Sequence, residues 1–230
     1  MKRFWKDVAV EPSAGSWRVT LDGRPIRTQG GSPQIVPRPA LAEALAREWR
    51  RQEEEVDPKA FPLRDLVDFA IDTARREREA TIAKLLKYAE TDTLCYRADP
   101  DEPLYRRQVE LWEPLLTACE ARHGVKLTCV SGVVHRPQPD KSMARLHEVL
   151  AAENDFSLAA LHTLAPLAAS LTVALAALED EADPPALFSA ANCEQDWQAE
   201  LWGWDAEAEH SRSTRLARFE TAVRFARLAR

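Results

Sequence analysis

The spacing of apolar residues changes once along this 230-residue chain, near Pro39. Before this point, Trp17, Val19 and Leu21 alternate with polar residues, and four of the seven glycines of the chain lie there. A period of two residues predicts a strand, and the Asp-Gly pair at 22–23 is typical of a tight hairpin turn. Two further short strands are predicted, at 8–10 and 34–36.

Beyond Pro39 the apolar residues follow a helical period. Leu41, Leu45, Trp49 and Gln52 share one face of a predicted helix whose first turn holds Pro39. Later helical stripes predict helices near 62–90 and 104–123, with Gly124 as a C-terminal cap. One strand-like run follows, at 125–134. Further helices are predicted at 140–153, 157–180, 184–202 and about 206–229.

These patterns predict an α+β fold. A small β-rich N-terminal domain with one helix, residues 1–57, is followed by a larger, mainly α-helical domain, residues 58–230. The proline-bounded segment 56–62 is the predicted link between them.

Charge and cysteine content narrow the class of protein. The formal net charge is −6, which argues against a nucleic acid or an anionic membrane as the main partner. The four cysteines form no CxxC pair and no evenly spaced framework, which fits reduced thiols in a cytosolic protein. The N-terminal residues show no export signal, so a cytoplasmic location is expected, or the mitochondrial matrix for a processed eukaryotic chain.

The segment 156–178 carries no formal charge and is long enough to be tested as a membrane span. It is rich in alanine, contains His162 and Pro166, and has acidic flanks. We therefore predict two buried helices that meet near Pro166 and no membrane insertion.

The sequence offers little for catalysis. A nucleophile elbow and a glycine-rich phosphate loop are both missing, and the five histidines include no pair at helical metal spacing. No catalytic residue, cofactor or metal is predicted. Cys95 has Arg97 nearby, which could acidify a thiol, but Thr91 and Asp92 also suit a simple helix end. A thiol-dependent hydrolase is thus one minor alternative.

The acidic and aromatic segment 193–207, CEQDWQAELWGWDAE, is the sharpest anomaly. Within a continuous helix, Leu187, Ala191, Glu194, Gln198, Leu201 and Trp202 share one stripe, whereas Asp196, Trp197 and Glu200 point away. Asp196 and Glu200 are expected to form a solvated acidic side. A carboxylate on an apolar stripe needs a partner or water. Two interpretations of Glu194 remain open.

In one interpretation, Glu194 pairs with an arginine of the last helix, at 212, 215 or 218, and fixes the helix register. In the other, Glu194 belongs to a groove that a partner completes. There are two minor alternatives. One is a hydrolase that uses the carboxylates of Glu194 and Asp205, and the other is a scaffold with several binding partners.

Several segments, in this order, resemble the ATP12-type assembly chaperones of the F1 sector of ATP synthase. They are RFWKDV (3–8), LDGRPIRT (21–28), LAEALAREWRRQ (41–52), VDPKAFPL (56–63), YAETDTLCYRA (88–98), Gln108 with Trp112-Glu-Pro, and EQDWQAELWGWD (194–205).

This resemblance implies a non-enzymatic chaperone that binds the free α subunit of F1 and protects it from aggregation until the β subunit takes its place. It also implies a β-containing N-terminal domain and a helical C-terminal domain. Glu194 matches an acidic residue that is important in the family, and Trp49 matches the family's Glu-Trp motif. The predicted partner-binding residues are Glu194, Gln198, Trp202, Asp205 and Trp49, in a chain that is monomeric when free.

Overall fold

The computed structural model describes residues 2–132 and 134–230, which form two compact units. The first unit consists of Met1–Arg78, Asn154–Ala160 and Arg224–Arg230, and the second of Glu79–Glu153 and Leu161–Val223. A small N-terminal sheet and a larger helical part confirm the predicted α+β class. The domain boundary between residues 57 and 58 stays a prediction.

The sheet of the first unit is antiparallel, and its second strand pairs with the three others. The predicted hairpin at Asp22 and Gly23 is confirmed, and both residues adopt positive φ, at 48° and 75°. The Asp22 carboxylate accepts the backbone N–H groups of Lys6 at 3.0 Å and of Asp7 at 2.8 Å, which secures the turn. The strands are β1 (Val8–Ser13), β2 (Ser16–Leu21), β3 (Arg24–Pro25) and β4 (Ile35–Val36).

Helix α1 (Pro39–Arg50) packs on β1 and β2, and Leu41 and Leu45 of its predicted apolar face are fully buried. Its buried Glu48 accepts the backbone N–H groups of Leu63 at 2.8 Å and of Arg64 at 3.0 Å. These are otherwise unsatisfied N–H groups of the first turn of α2 (Pro62–Phe69), so Glu48 caps α2 from a neighbouring helix.

A π-helical segment, Ala70–Ala74, continues α2. Two carboxylates from this stretch anchor the loop that joins β3 to β4. Asp68 accepts the Gln34 side-chain amide at 2.6 Å, and Asp72 accepts the Thr28 hydroxyl at 2.9 Å. The loop is therefore tied to the helix by buried and half-buried polar bonds.

The second unit is built from helices. Near the centre of α4 (Pro103–His123), Trp112 is fully buried and donates its indole N–H to the carbonyl of Ala190 at 2.7 Å. Gly124, with φ of 67°, ends α4 as the predicted C-cap. The helices from Arg78 to the C-terminus are α3 (Arg78–Glu90), α4 (Pro103–His123), α5 (Asp140–Ala152), α6 (Asp155–Ala168), α7 (Leu171–Ala176), α8 (Pro184–Ala191), α9 (Cys193–Trp202) and α10 (Ala206–Ala229). The start of α6 and the end of α10 belong to the first unit.

The uncharged segment folds into two helices, α6 and α7, as predicted, but the two helices do not meet at Pro166. That proline lies inside α6, and the chain turns at Ala169, where φ is 47°. The Ser170 hydroxyl then caps α7 by accepting the Val173 N–H at 3.0 Å. Across the described residues, every helix is too short or too polar to cross a bilayer.

The strand predicted at 125–134 is much shorter than expected. Val130–Ser131 forms β6, which pairs in parallel with β5 (Tyr96–Arg97), and residues 125–129 before it have no regular secondary structure. Residue 133 of the predicted run lies outside the described residues. A short parallel pair therefore joins segments that are more than thirty residues apart in sequence.

Candidate partner-binding surface

Helices α8 and α9 are separate, so the prediction of one continuous helix over 184–202 is wrong. Asp183 caps α8 as predicted, by accepting the Ala186 N–H at 3.1 Å. At Asn192 the backbone leaves helical geometry, with φ of −103° and ψ of 21°, and its side-chain amide donates to the Phe188 carbonyl at 2.8 Å. The Phe188 carbonyl at the end of α8 thus accepts both the backbone N–H and the side-chain amide of Asn192, and a new helix begins at Cys193.

The break changes which side of α9 faces the protein. Asp196, expected to face solvent, has a side chain only 12% exposed and accepts two bonds from Arg212, at 2.7 and 2.5 Å. Ser189 of α8 donates to the same carboxylate at 2.8 Å. Glu200 pairs with Arg107 of α4, and this guanidinium lowers the pKa of Glu200. The side of α9 that was expected to face solvent is therefore the side that is bound to α4 and α10 by ion pairs.

The opposite side of α9 is exposed. Glu194, Gln198, Leu201 and Trp202 lie at helical spacing, and all four are exposed; we call this set the α9 face. Trp202 is 79% exposed and Leu201 is 56% exposed. The structure therefore brings together three predicted site residues. Of the apolar stripe on which they were placed, Leu187 and Ala191 of α8 are buried, whereas the part on α9 is exposed.

Glu194 is held by an amide. Its carboxylate accepts the Gln108 side chain at 2.8 Å, and the Gln108 carbonyl oxygen accepts the Ala98 N–H at 2.8 Å. Although Glu194 as a whole is exposed, its carboxyl group is turned toward fully buried Gln108. Desolvation of this group raises the pKa of Glu194, and the Gln108 bond partly opposes the rise.

The hypothesis that Glu194 pairs with an arginine of the last helix is wrong. Arg212 binds Asp196, Arg215 donates to the Asn192 side chain at 2.9 Å and to the Leu167 carbonyl at 2.9 Å, and Arg218 is exposed. Within residues 2–132 and 134–230, Glu194 has no ion pair within 4.0 Å. The register-fixing bridge exists, but Asp196 makes it.

The chain beyond α9 carries the remaining predicted residue of this region. Gly203, with φ of 87°, ends α9, and Trp204 follows with 38% exposure. The Asp205 carboxylate accepts the N–H groups of Glu207 at 3.0 Å and Ala208 at 2.9 Å, so it caps α10. Asp205 thus has a structural task, and its part in partner binding stays a prediction.

Trp49 belongs to the first compact unit, whereas the other four predicted residues belong to the second. Its ring lies 5.0 Å from that of Trp5 and 4.7 Å from that of Phe61, in half-buried aromatic packing. Trp49 therefore stabilises the first unit, and its partner-binding role also stays a prediction.

The thiol interpretation is corrected by the structure. A hydrogen bond with Cys129 and burial raise the pKa of Cys95 and outweigh the opposing charge of Arg97, whose guanidinium donates to the Cys129 sulfur at 3.9 Å. Across the described residues, no group of three His, Cys, Asp or Glu side chains could hold a metal ion.

Sequence reasoning missed Gln108 and Arg107 as the α4 side chains that orient α9. Leu201 was placed on the apolar stripe but not among the predicted partner-binding residues, and it is 56% exposed. The partners on α4 carry no local signal, because they are about ninety residues away in sequence.

Known proteins resemble this chain in sequence and in structure. Residues 2–120 match the family model described as ATP12 chaperone protein. The mitochondrial protein atp12 of Schizosaccharomyces pombe is 28% identical over 214 residues, which cover 88% of this chain and 74% of the fungal protein.

Solved structures extend the similarity to the whole chain. Atp12 from Paracoccus denitrificans is 38% identical with a TM-score of 0.94, covering 100% of this chain and 98% of the other. A putative chaperone from Agrobacterium tumefaciens is 36% identical with a TM-score of 0.93, covering 100% of this chain and 86% of the other. With more than half of its residues matched by the family model and a solved Atp12 aligned along its full length, the chain belongs to the ATP12 family of chaperones.

Proposed function

We propose that this chain binds the free α subunit of F1 ATP synthase and shields the surface that the β subunit later covers. As a member of the ATP12 family, the chain is an assembly chaperone for F1 ATP synthase. The α subunit as client, and the α9 face with Trp204 as the contact surface, are the parts that we propose. The chain acts by binding, without catalysis, in the bacterial cytoplasm or the mitochondrial matrix.

The observation that carries this proposal is the exposure of three large apolar side chains within four positions. Trp202 is 79% exposed, Leu201 56% and Trp204 38%. Exposed apolar residues that are clustered mark interaction surfaces, and buried tryptophans dominate the energy of many interfaces. A client surface normally covered by another subunit has the matching apolar character.

Glu194 gives this apolar group a polar centre. Gln108 orients the carboxylate, and no cation of the described residues neutralises it. The carboxylate can therefore accept charge-assisted hydrogen bonds from client N–H groups or from a basic side chain. The net charge of −6 favours encounter with a basic client patch.

The test is the light scattering of isolated F1 α subunit during heating, with and without this chain. Wild type should suppress aggregation at equimolar ratio. Trp202→Ala should weaken binding by about thirtyfold, since a central tryptophan contributes on the order of 2 kcal/mol. Glu194→Lys should abolish protection, because it removes the carboxylate that accepts hydrogen bonds from the client. It also introduces a positive charge, which the basic patch of the client would repel.

Matched controls separate binding from folding. Val134→Ala removes another exposed apolar side chain, 73% exposed, and Glu220→Lys reverses an exposed charge on α10. Both controls should protect the α subunit as wild type does. If Glu194→Lys and Trp202→Ala keep wild-type stability and still bind the α subunit normally, the α9 face is not the contact surface. If wild type itself binds only the β subunit, or several unrelated proteins in equal amounts, the proposed client is wrong.

A further inference from the structure

Two of the four cysteines lie opposite each other at the start of the β5–β6 pair. Tyr96 is paired with Val130, and Arg97 with Ser131, in parallel register. A cysteine precedes each strand, Cys95 at the end of a 3-10 turn (Thr93–Cys95) and Cys129 directly before β6, and the two thiols are hydrogen-bonded to each other. Neighbouring strands are about 4.8 Å apart, and disulfide-bonded cysteines have Cα atoms roughly 4.4 to 6.8 Å apart. The backbone spacing therefore suits a disulfide, although both thiols are free.

The two thiols have different surroundings. Cys129 is exposed, whereas Cys95 is buried. The guanidinium of Arg97 lies beside the exposed sulfur, with 3.9 Å between Nη2 and the Sγ atom of Cys129. The pair thus combines an accessible sulfur next to a positive charge with a protected sulfur behind it.

Arg97 has a hydrogen-bond donor that is not used. Its side chain is 10% exposed, and its Nη2 also donates to Glu113 at 2.7 Å. Its Nε atom is buried and has no hydrogen-bond partner among the described residues. An unpartnered buried donor is costly, so a group that places an anionic or oxygen-bearing atom here would be stabilised.

The charges around the exposed sulfur favour its thiolate. A hydrogen bond from the Cys95 thiol, helped by Arg97, lowers the pKa of Cys129 to about 7, while desolvation, Glu113 and Glu120 oppose the shift. The pKa of Cys95 is raised by the same hydrogen bond and by burial. The thiolate is the reactive form of cysteine, so the reactive member of the pair is the exposed one.

We propose that Cys129 is a site of reversible oxidation by hydroperoxides and that Cys95 converts the oxidised form to a disulfide. In the first step, the Cys129 thiolate attacks one oxygen of hydrogen peroxide. An S–O bond forms, the O–O bond breaks, and the departing hydroxide takes a proton to become water. The sulfur is oxidised to a sulfenic acid, and the peroxide is reduced.

In the second step, the Cys95 sulfur attacks the Cys129 sulfur. An S–S bond forms, the S–O bond breaks, and the departing hydroxide takes the Cys95 proton to give a second water. Arg97 acts as a positioning residue, since its Nε and Nη2 atoms can donate to the sulfenic oxygen before that oxygen leaves. The product links the two strands covalently, and a thiol reductant reverses it.

The test uses the reduced full-length chain and stoichiometric hydrogen peroxide, with peptide mapping by mass spectrometry. Wild type should lose two of its four thiols and yield a Cys95–Cys129 cross-linked peptide that dithiothreitol removes. Cys95→Ser should instead accumulate a sulfenic acid on Cys129, which dimedone traps. Cys119→Ser and Cys193→Ser, which replace the other two cysteines, should form the cross-link as wild type does.

A second measurement tests the role of Arg97. A thiol with a pKa near 7 is roughly half ionised at neutral pH, but its thiolate is a weaker nucleophile than that of an ordinary thiol. Cys129 should therefore react with iodoacetamide about threefold faster than an ordinary thiol at pH 7. Arg97→Met should move the midpoint of this reaction to higher pH and slow it at pH 7, and Arg106→Met, at an exposed position, should do neither.

Two results would overturn the proposal. One is peroxide treatment that takes wild-type Cys129 to sulfinic acid without a Cys95 cross-link. The other is a Cys129 alkylation rate equal to that of an ordinary thiol. The wild-type mapping decides the matter even if Cys95→Ser does not fold.

Discussion

The fully buried amide of Gln108 donates a 2.8 Å hydrogen bond to the carboxylate of Glu194. The same side chain accepts the Ala98 N–H, so one residue of α4 connects the start of α9 with the segment that follows β5. The orientation of the carboxylate on the α9 face is therefore set from the interior of the second unit.

Gln108→Leu should show that the second unit is stabilised by the hydrogen bonds of Gln108 to Glu194 and Ala98. The substitution leaves the Ala98 N–H without its acceptor and removes the donor to Glu194, so the free energy of unfolding should fall by about 2 kcal/mol. Urea denaturation followed by circular dichroism measures the change. Gln198→Leu, an exposed amide of the same size on α9, should change stability by less than about 0.5 kcal/mol. Equal stability of the Gln108 variant and wild type would contradict the role of this bond.

The raised pKa of Glu194 should make its contribution to stability depend on pH. The folded chain holds a proton on this carboxyl above the ordinary pKa of 4.5, whereas the unfolded chain releases it. Stability from this group is thus present below the unfolded pKa and is lost as the pH rises through the folded pKa. Glu194→Gln removes the titration and keeps an acceptor for Gln108.

Relative to wild type, Glu194→Gln should therefore gain stability between pH 4 and pH 7. Urea denaturation at pH 4 and at pH 7 measures the difference in the free energy of unfolding. The difference should be modest because Glu194 is exposed. Glu220→Gln on α10 provides the comparison for loss of a charge alone. A variant whose stability relative to wild type falls as the pH rises would show that the folded carboxylate is stabilised and not desolvated.

The ion pair between Arg212 and Asp196 should be the strongest single polar contact between α9 and α10. Both side chains are mostly buried, at 20% and 12% exposure, and Ser189 completes the carboxylate's bonds. Arg212→Met leaves this carboxylate without its cation, so the free energy of unfolding should fall by about 3 kcal/mol. Arg218→Met, at an exposed position on the same helix, should change it by less than about 0.5 kcal/mol. Similar losses for the two variants, measured by thermal or urea unfolding, would refute this assignment.

Local signals predicted local structure well. The hairpin at Asp22 and Gly23, the helix end at Gly124 and the cap at Asp183 each depend on a few neighbouring residues, and all three are confirmed. The break at Asn192 was missed because it depends on bonds to Phe188 and to Arg215, which is more than twenty residues away.

The orientation of α9 was missed for a related reason. Helical spacing correctly separated Glu194, Gln198 and Trp202 from Asp196 and Glu200, but it contains no information on which side meets the rest of the protein. Arg212 and Arg107 decide that question through tertiary ion pairs. Cys129 was overlooked in the same way, since its neighbours Cys95 and Arg97 reach it only through the β5–β6 pair.

The exposure of Trp202, Leu201 and Trp204 has a thermodynamic consequence. Water around these side chains raises the heat capacity of the free chain. A client that covers the side chains releases this water. Binding through this surface should have a negative heat capacity change, and its enthalpy should become more favourable as the temperature rises. The unoccupied chaperone thus keeps in water an apolar group whose removal from water helps to drive the association.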